Sequence, residues 1–108
     1  MNNVSIIGRL TADPRTITTK TGRKVSHFSV AINNPNSVIY VNITAWSPIC
    51  DTVERFLRKG QNVGISGRLA TDSSGKLEVI VNTIHLLEPH KETGKNSEED
   101  TNLLDFPL

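Results

Sequence analysis

Short runs rich in Val, Ile and Thr alternate with turn-forming residues along most of the chain, and this pattern limits the possible folds. Between residues 25 and 32, Phe28, Val30 and Ile32 alternate with small or polar residues, as in a half-buried strand. Turn residues follow at Asn33–Ser37 and again at Asp72–Gly75. The main strands are predicted over residues 4–10, 25–32, 38–46, 61–70 and 76–87.

One segment between these runs has the signature of a helix. Ser47 suits the N-cap and Pro48 the first helical position, where a missing N–H costs nothing. Arg58 and Lys59 are expected in the last turn, and Gly60 ends the helix. An apolar stripe is predicted along one face, formed by Ile49, Val53, Phe56 and Leu57.

The order of these elements predicts the fold class. A helix between the third and fourth of five main strands is typical of an all-β, five-stranded Greek-key barrel of the OB type, in which the helix plugs one end. Residues 15–19 are expected to pair with the next strand across a turn, and Gly8, Gly64 and Gly67 to mark bends or bulges. Residues 1–88 are therefore predicted to form the domain. Residues 89–108 are too polar to bury a core and are predicted to form a disordered acidic tail.

Charge is distributed unevenly between these two parts. Residues 1–88 carry ten Lys and Arg against six Asp and Glu, whereas residues 89–108 carry two against five. This distribution favours an anionic partner for the domain, although a solvated surface with a random excess also explains it. No apolar run is long enough to span a membrane, no signal peptide is evident, and a single Cys cannot form an internal disulfide, so a cytoplasmic protein is expected.

The sequence gives no indication of an enzyme. The histidines His27, His85 and His90 do not combine with Cys50 or with acids at metal-ligand spacing. Cys50 falls among the apolar residues of the helix, where a buried, inert thiol is expected. We therefore predict no catalytic residue, no metal and no cofactor.

Nucleic-acid binding has better support. Tyr40 and Trp46 share one face of a strand with Thr44, opposite the aliphatic face, and exposed rings there would stack on bases. The alternative is that Trp46 packs beneath the helix that follows it. Phe28 and Phe56 lie on apolar faces and are expected in the core. Phosphate contacts are predicted for six cations, namely Arg9, Arg23, Lys24, Arg58, Lys59 and Arg68.

Four blocks of sequence, in order, resemble the bacterial single-stranded-DNA-binding proteins. They are residues 3–14, 25–33, 53–60 and 63–69, so the resemblance covers about residues 3–88. It implies an OB fold and a homotetramer that wraps single-stranded DNA without sequence preference. It also implies a role at the nucleoid in replication, recombination and repair.

The end of the chain extends the resemblance. Acidic residues 98–100 precede Asp105, Phe106, Pro107 and Leu108, which resemble the tip by which this family docks on replication and repair proteins. Asp105 and Pro107 match that tip, whereas Leu108 replaces its usual final Phe. A plain disordered end is the alternative.

Several departures from the family leave other hypotheses open. Only Tyr40 and Trp46 remain of its stacking aromatics, and both predicted hairpin loops are short. Asn62, Gly64 and Ser66 lie on a strand that joins dimers in the family, and their small, polar side chains leave a dimer possible. One rival function is a primosome-like accessory or protein-interaction module that binds nucleic acid weakly. Another is an RNA-binding OB domain, since every base presents a π-face.

Overall fold

Five long strands, one short strand and one helix make up the part of the chain that the computed structural model describes, residues 1–87. In chain order they are β1 (Val4–Leu10), β2 (Arg15–Thr18), β3 (Lys24–Asn34), β4 (Ser37–Trp46), α1 (Ile49–Phe56), β5 (Asn62–Thr71) and β6 (Leu77–Leu86). The predicted strands and their order are confirmed. The predicted tail, 89–108, and its tip, 105–108, lie outside the described residues.

The sheet closes on itself through β1. This strand pairs antiparallel with β5 from Val4 to Arg9, and its last residues, Arg9 and Leu10, also pair with Ala31 and Val30 of β3. The strands then follow the cyclic order β1–β5–β6–β4–β3, with β4 and β6 parallel and β2 added to the outer edge of β3. A closed five-stranded barrel with a helix between β4 and β5 is the predicted all-β OB-type architecture. Closure leaves few unpaired strand edges.

Alternate residues of the strands point into the barrel and form its core, as the period of two requires. Phe28 is 7% exposed, which confirms its predicted place in this core. Val53 of the helix and Leu57, the residue directly after it, close one end of the barrel, and both are fully buried. The thiol-bearing Cys50 is also fully buried, as predicted.

The ends of α1 differ from the prediction. Pro48, rather than Ser47, is the N-cap residue, and the Ser47 hydroxyl instead donates to the carbonyl oxygen of Lys24 on β3. At the other end, Leu57 is extended because its side chain fills the barrel, so Arg58 and Lys59 follow the helix rather than form its last turn. Tertiary contacts to β3 and to the core thus override the local capping signals.

Phe56 is not in the core, contrary to the prediction. Its side chain is 41% exposed and lies beside Arg55, whose guanidinium carbon is 5.5 Å from the ring centroid. An eight-residue helix across the mouth of a small barrel inserts a narrow strip of side chains. Val53 and Leu57 fill that space, which leaves the neighbouring Phe56 at the margin.

At two of the three strand glycines, the backbone of a neighbouring strand lies closer than a Cβ atom would allow. The pairing of β5 with β6 shifts register between Ser66 and Gly67, and a Cβ atom on Gly67 would lie 2.1 Å from the carbonyl oxygen of Ile80. A Cβ atom on Gly8 would lie 2.9 Å from the carbonyl oxygen of Ala31, where β1 crosses onto β3. The predicted bulge is therefore confirmed at Gly67, whereas the register is regular at Gly64.

Candidate nucleic-acid interface

The outer face of β2, β3 and β4 carries side chains in rows that cross the strands. Because pairing is in register, Trp46 of β4 lies opposite Val25 of β3, and Val25 lies opposite Ile17 of β2. This first row is apolar. Ile17 is 52% exposed and Trp46 is half-buried, whereas Val25 between them is only 2% exposed.

A second row, polar except for Ile80, runs beside the first and spans five strands. Pairing places Arg15 opposite His27, His27 opposite Thr44, Thr44 opposite Ile80, and Ile80 opposite Arg68. The row therefore has an arginine at each end. Sequence reasoning did not select Arg15 as a site residue, because only the pairing of β2 with β3 brings it to this face.

Tyr40 lies on the same face of β4 as Trp46, six residues earlier, which corresponds to roughly 20 Å along the strand. Its side chain is 70% exposed and lies opposite the small Ala31, so the ring is open to solvent. Val38 follows on the same face and is 44% exposed. The exposure predicted for the Tyr40 ring is observed.

The Trp46 ring is partly covered. It is absent from the core cluster, so it is not sealed inside the barrel. The guanidinium carbon of Arg23, in the turn between β2 and β3, lies 4.5 Å from the ring centroid. This distance is within the range of a cation–π contact. The prediction placed Arg23 against phosphate, whereas in this structure its guanidinium lies on the ring.

An open groove of about 330 Å³ crosses β3 and β4 between Tyr40 and the first row. Its floor includes His27, Ser29 and Asn42, and its walls come from the segment after β1 and from the β5–β6 turn. Three carboxylates converge on this groove, those of Asp13, Asp72 and Glu78. Sequence reasoning missed this convergence, because Asp13 and Asp72 are distant in the chain and only closure of the barrel brings them together.

Each of these carboxylates already accepts hydrogen bonds from the protein. The Asp13 carboxylate accepts from the backbone N–H of Lys59 at 2.8 Å, and Glu78 accepts from the hydroxyl of Thr44. Asp72 accepts from Ser74 and from the backbone N–H of Lys76. The hydrogen bond from the Ser74 hydroxyl, with the backbone bonds, holds the pKa of Asp72 below its ordinary value of 3.8. The middle of the groove thus presents acceptors, which suit the edges of bases better than phosphates.

The six predicted phosphate-binding cations fall into two groups. Lys24 is ion-paired, Arg9 and Arg58 donate to backbone carbonyls, and Arg23 lies on Trp46. Lys59 and Arg68 are exposed, and within residues 1–87 their side chains form no hydrogen bond or ion pair. Arg9 donates to the carbonyl oxygen of Gly60, next to Lys59, whereas Arg58 donates to the carbonyl oxygens of Glu54 and Leu57. The backbone N–H of Lys59 donates to Asp13, which lines the groove.

A second surface lies on the outer face of β1, β5 and β6. Ser5, Ile7, Gly64, Ser66 and His85 line a shallow, mainly apolar depression there. Ile7 is 61% exposed in this structure of a single chain. Asn62, which also lies on β5, is paired opposite Arg9.

Within the described range, no group of three or more His, Cys, Asp or Glu side chains is arranged to hold a metal ion. Over the same residues, no helix has the length and apolar character that crossing a membrane requires.

Comparison with known proteins gives consistent results. The chain is 33% identical over 103 residues to "Single-stranded DNA-binding protein B" of Bacillus subtilis, covering 82% of this chain and 91% of that protein. It is 31% identical over 121 residues to the "Single-stranded DNA-binding protein" of Halalkalibacterium halodurans, covering 98% of this chain and 70% of that protein.

A solved structure is similar along the same region. The wild-type single-stranded DNA binding protein from Thermus aquaticus superposes with a TM-score of 0.74 at 25% identity, over 90% of this chain. This chain spans 45% of that longer protein. Residues 1–87, the whole of the barrel described above, match the model of the single-strand binding protein family. The chain therefore belongs to the single-strand binding protein family.

Proposed function

We propose that this protein binds single-stranded DNA without sequence preference and without catalysing a reaction. The observation that carries the proposal is that Tyr40 and Trp46 lie on one outer face of β4, outside the core. Arg15 lines the groove between them, and Lys59 adjoins it through the bond of its backbone N–H to Asp13. Aromatic rings on such a face stack on any base, and cations along its edges contact the backbone.

Of the six predicted cations, Lys59 and Arg68 are exposed and have no side-chain partner in the described range, so they are the best placed to take phosphates directly. Arg15, at the far end of the polar row from Arg68, is a further candidate. The acceptor-rich groove between the rings would then receive base edges rather than phosphates. Lys24 has the weakest case of the predicted cations, because two carboxylates of α1 already pair with it.

In the cell, we propose that the protein protects single strands in the cytoplasm, at the nucleoid, during replication, recombination and repair. The relatives are named for single-stranded DNA binding, which supports the first part of this role. Recruitment of other DNA-processing proteins is proposed for Asp105, Phe106, Pro107 and Leu108. That part depends on the sequence alone.

A homo-oligomer, either a tetramer or a dimer, is proposed on the basis of the second surface. Ile7 is a large, exposed apolar side chain in the lining of a mainly apolar depression, and burial of such a patch favours association. Light scattering of natural protein and of Ile7→Asp tests this part. The variant should have a lower mass if the surface joins subunits.

A fluorescence titration tests the proposed binding. Trp46 is the single tryptophan, so oligo-dT should quench its emission at low salt. Tyr40→Ala should weaken binding by about 1–3 kcal/mol because one stacking platform is lost. Val38→Ala is the matched control, since Val38 is exposed on the same face of β4 but has no ring. Absence of both binding and quenching at low salt would contradict the proposal.

The carboxylates of the groove favour a second candidate, a protein-interaction module with weak nucleic-acid binding. Asp13, Asp72 and Glu78 would repel a phosphate backbone that entered the groove itself. Parallel titrations with single-stranded DNA, double-stranded DNA and RNA separate the candidates. A module of this second kind would bind all three weakly, and an RNA-binding domain would prefer RNA.

A further inference from the structure

We propose that Arg23 is a displaceable cover on Trp46, which leaves the indole when a base stacks there and then pairs with a phosphate of the same strand. The inference rests on the proposed function, because it assigns a step to single-strand binding at Trp46. It concerns the contact between Arg23 in the β2–β3 turn and Trp46 at the end of β4.

Arg23 lies over one face of the Trp46 indole, the face that the inference assigns to a base. The guanidinium carbon lies 4.5 Å from the ring centroid. Trp46 is itself only half-buried, and its cross-strand neighbour Val25 is 2% exposed. A base that stacks on the face covered by Arg23 must take the place of the guanidinium.

The backbone of Arg23 is fixed, whereas its side chain has no other anchor. The N–H of Thr19 donates to the carbonyl oxygen of Arg23 at 2.8 Å, and the N–H of Arg23 donates to the hydroxyl of Thr19 at 3.2 Å. No hydrogen bond or ion pair holds the guanidinium to any other residue between 1 and 87. Rotation of the side chain thus moves the guanidinium off the ring while its Cα stays beside the site.

The exchange is favourable on both sides. An indole gains more from stacking on a base than from an exposed cation–π contact. The displaced guanidinium gains charge-assisted, bidentate hydrogen bonds from a phosphate, and its planar fork of donors fits that group. A covered ring also keeps an exposed apolar surface from contact with other proteins until a strand arrives.

Collisional quenching of Trp46 by acrylamide tests the cover in the full-length protein without DNA. Arg23→Ala should increase the quenching constant, because the ring loses its cover. Lys20→Ala is the matched control: it removes one positive charge from the same turn, Lys20 is exposed, and no contact joins it to Trp46. Quenching of that variant should equal that of the natural protein.

The salt dependence of oligo-dT binding tests the second half of the step. Loss of one phosphate contact should reduce the slope of log affinity against log salt by about 0.7. Arg23→Ala should therefore bind oligo-dT more weakly than the natural protein does. The ratio of the two affinities should become smaller by about 2.6-fold between about 50 and about 200 mM salt. Arg23→Lys, which keeps the charge but not the planar stack, should restore most of the slope and leave the ring more open to acrylamide.

Two outcomes would overturn the inference while the proposed function stands. One is that acrylamide quenches Trp46 equally in the natural protein and in Arg23→Ala. The other is that the affinities of the two proteins for oligo-dT have the same slope against salt. In both cases oligo-dT still binds and still quenches the emission of Trp46. If the natural protein binds no oligo-dT, the proposed function itself fails and the cover fails with it.

Discussion

The Nζ atom of Lys24 lies 3.2 Å from Oε1 of Glu54, so the first residue of β3 is tied to the helix that plugs the barrel. Asp51, one turn earlier, adds a second ion pair at 3.3 Å. Hydrogen bonds to Glu54, then to Asp51, hold the pKa of Lys24 above its ordinary value of 10.5. The charge of Lys24 is thus directed at α1, which separates it from the cations that remain available to a ligand.

The first prediction compares these two kinds of cation. Lys59→Ala and Arg68→Ala should each reduce the slope of log affinity for oligo-dT against log salt by about 0.7, because each removes one phosphate contact. Lys24→Ala should leave the slope unchanged, since its partners are carboxylates of the protein. Titrations at several salt concentrations measure all three. A change for Lys24→Ala equal to the other two would contradict this division.

The second prediction concerns the close approach of β5 and β6. Gly67→Ala should destabilise the fold by roughly 1–3 kcal/mol, because the new methyl group overlaps the carbonyl of Ile80 and the strands must separate. Gly64→Ala is the control, as its nearest contact would be an ordinary 3.5 Å to Cβ of His85. Urea denaturation gives the free energies of unfolding. Equal free energies of unfolding for the two variants would contradict the prediction, because they would show that the strands at the bulge accommodate a methyl group at no cost.

The third prediction concerns acid and the β5–β6 turn. Because the pKa of Asp72 is lower in the folded chain than 3.8, its carboxylate stabilises the fold fully at pH values above 3.8. That contribution is lost as the pH falls below 3.8 through the folded pKa, since the unfolded chain takes up the proton first.

Urea midpoints measured across this pH range check the prediction. The urea midpoint of the natural protein should exceed that of Asp72→Asn at higher pH, and this difference should disappear as the pH falls. Ser74→Ala should reduce the effect, since the Ser74 hydroxyl makes the largest contribution to the shift. A constant difference between natural protein and Asp72→Asn at every pH would refute this assignment.

The fourth prediction separates the two phenylalanines that sequence reasoning treated alike. Phe28→Ala should destabilise the protein by about 3–5 kcal/mol, because it opens a cavity in the barrel. Phe56→Ala should cost less than about 1 kcal/mol, since the ring lies at the surface beside Arg55. Thermal or urea denaturation distinguishes them, and similar losses would mean that Phe56 is covered in solution, for example by another subunit.

Much of the candidate site could be predicted from the sequence. Side chains alternate between the two faces of a strand with a period of two residues, so the face on which a residue lies depends only on its near neighbours in the chain. Tyr40 was expected to be exposed and is, and Trp46 was expected on the same side of β4 and lies there. The role of each cation could not be predicted. Whether a Lys or Arg is available depends on acceptors far away in the chain, as with Lys24 and Glu54 or Arg9 and the carbonyl of Gly60.

By itself, the sequence determined the strands, their inward and outward faces, the helix between β4 and β5, and hence the barrel, since alternation and turn residues act over a few positions. Only the tertiary structure decided where α1 ends, that Phe56 lies outside, that Arg23 covers Trp46, and that three carboxylates meet in the groove. The physical reason is that these features depend on barrel closure and strand register, which bring together residues that are distant in the chain.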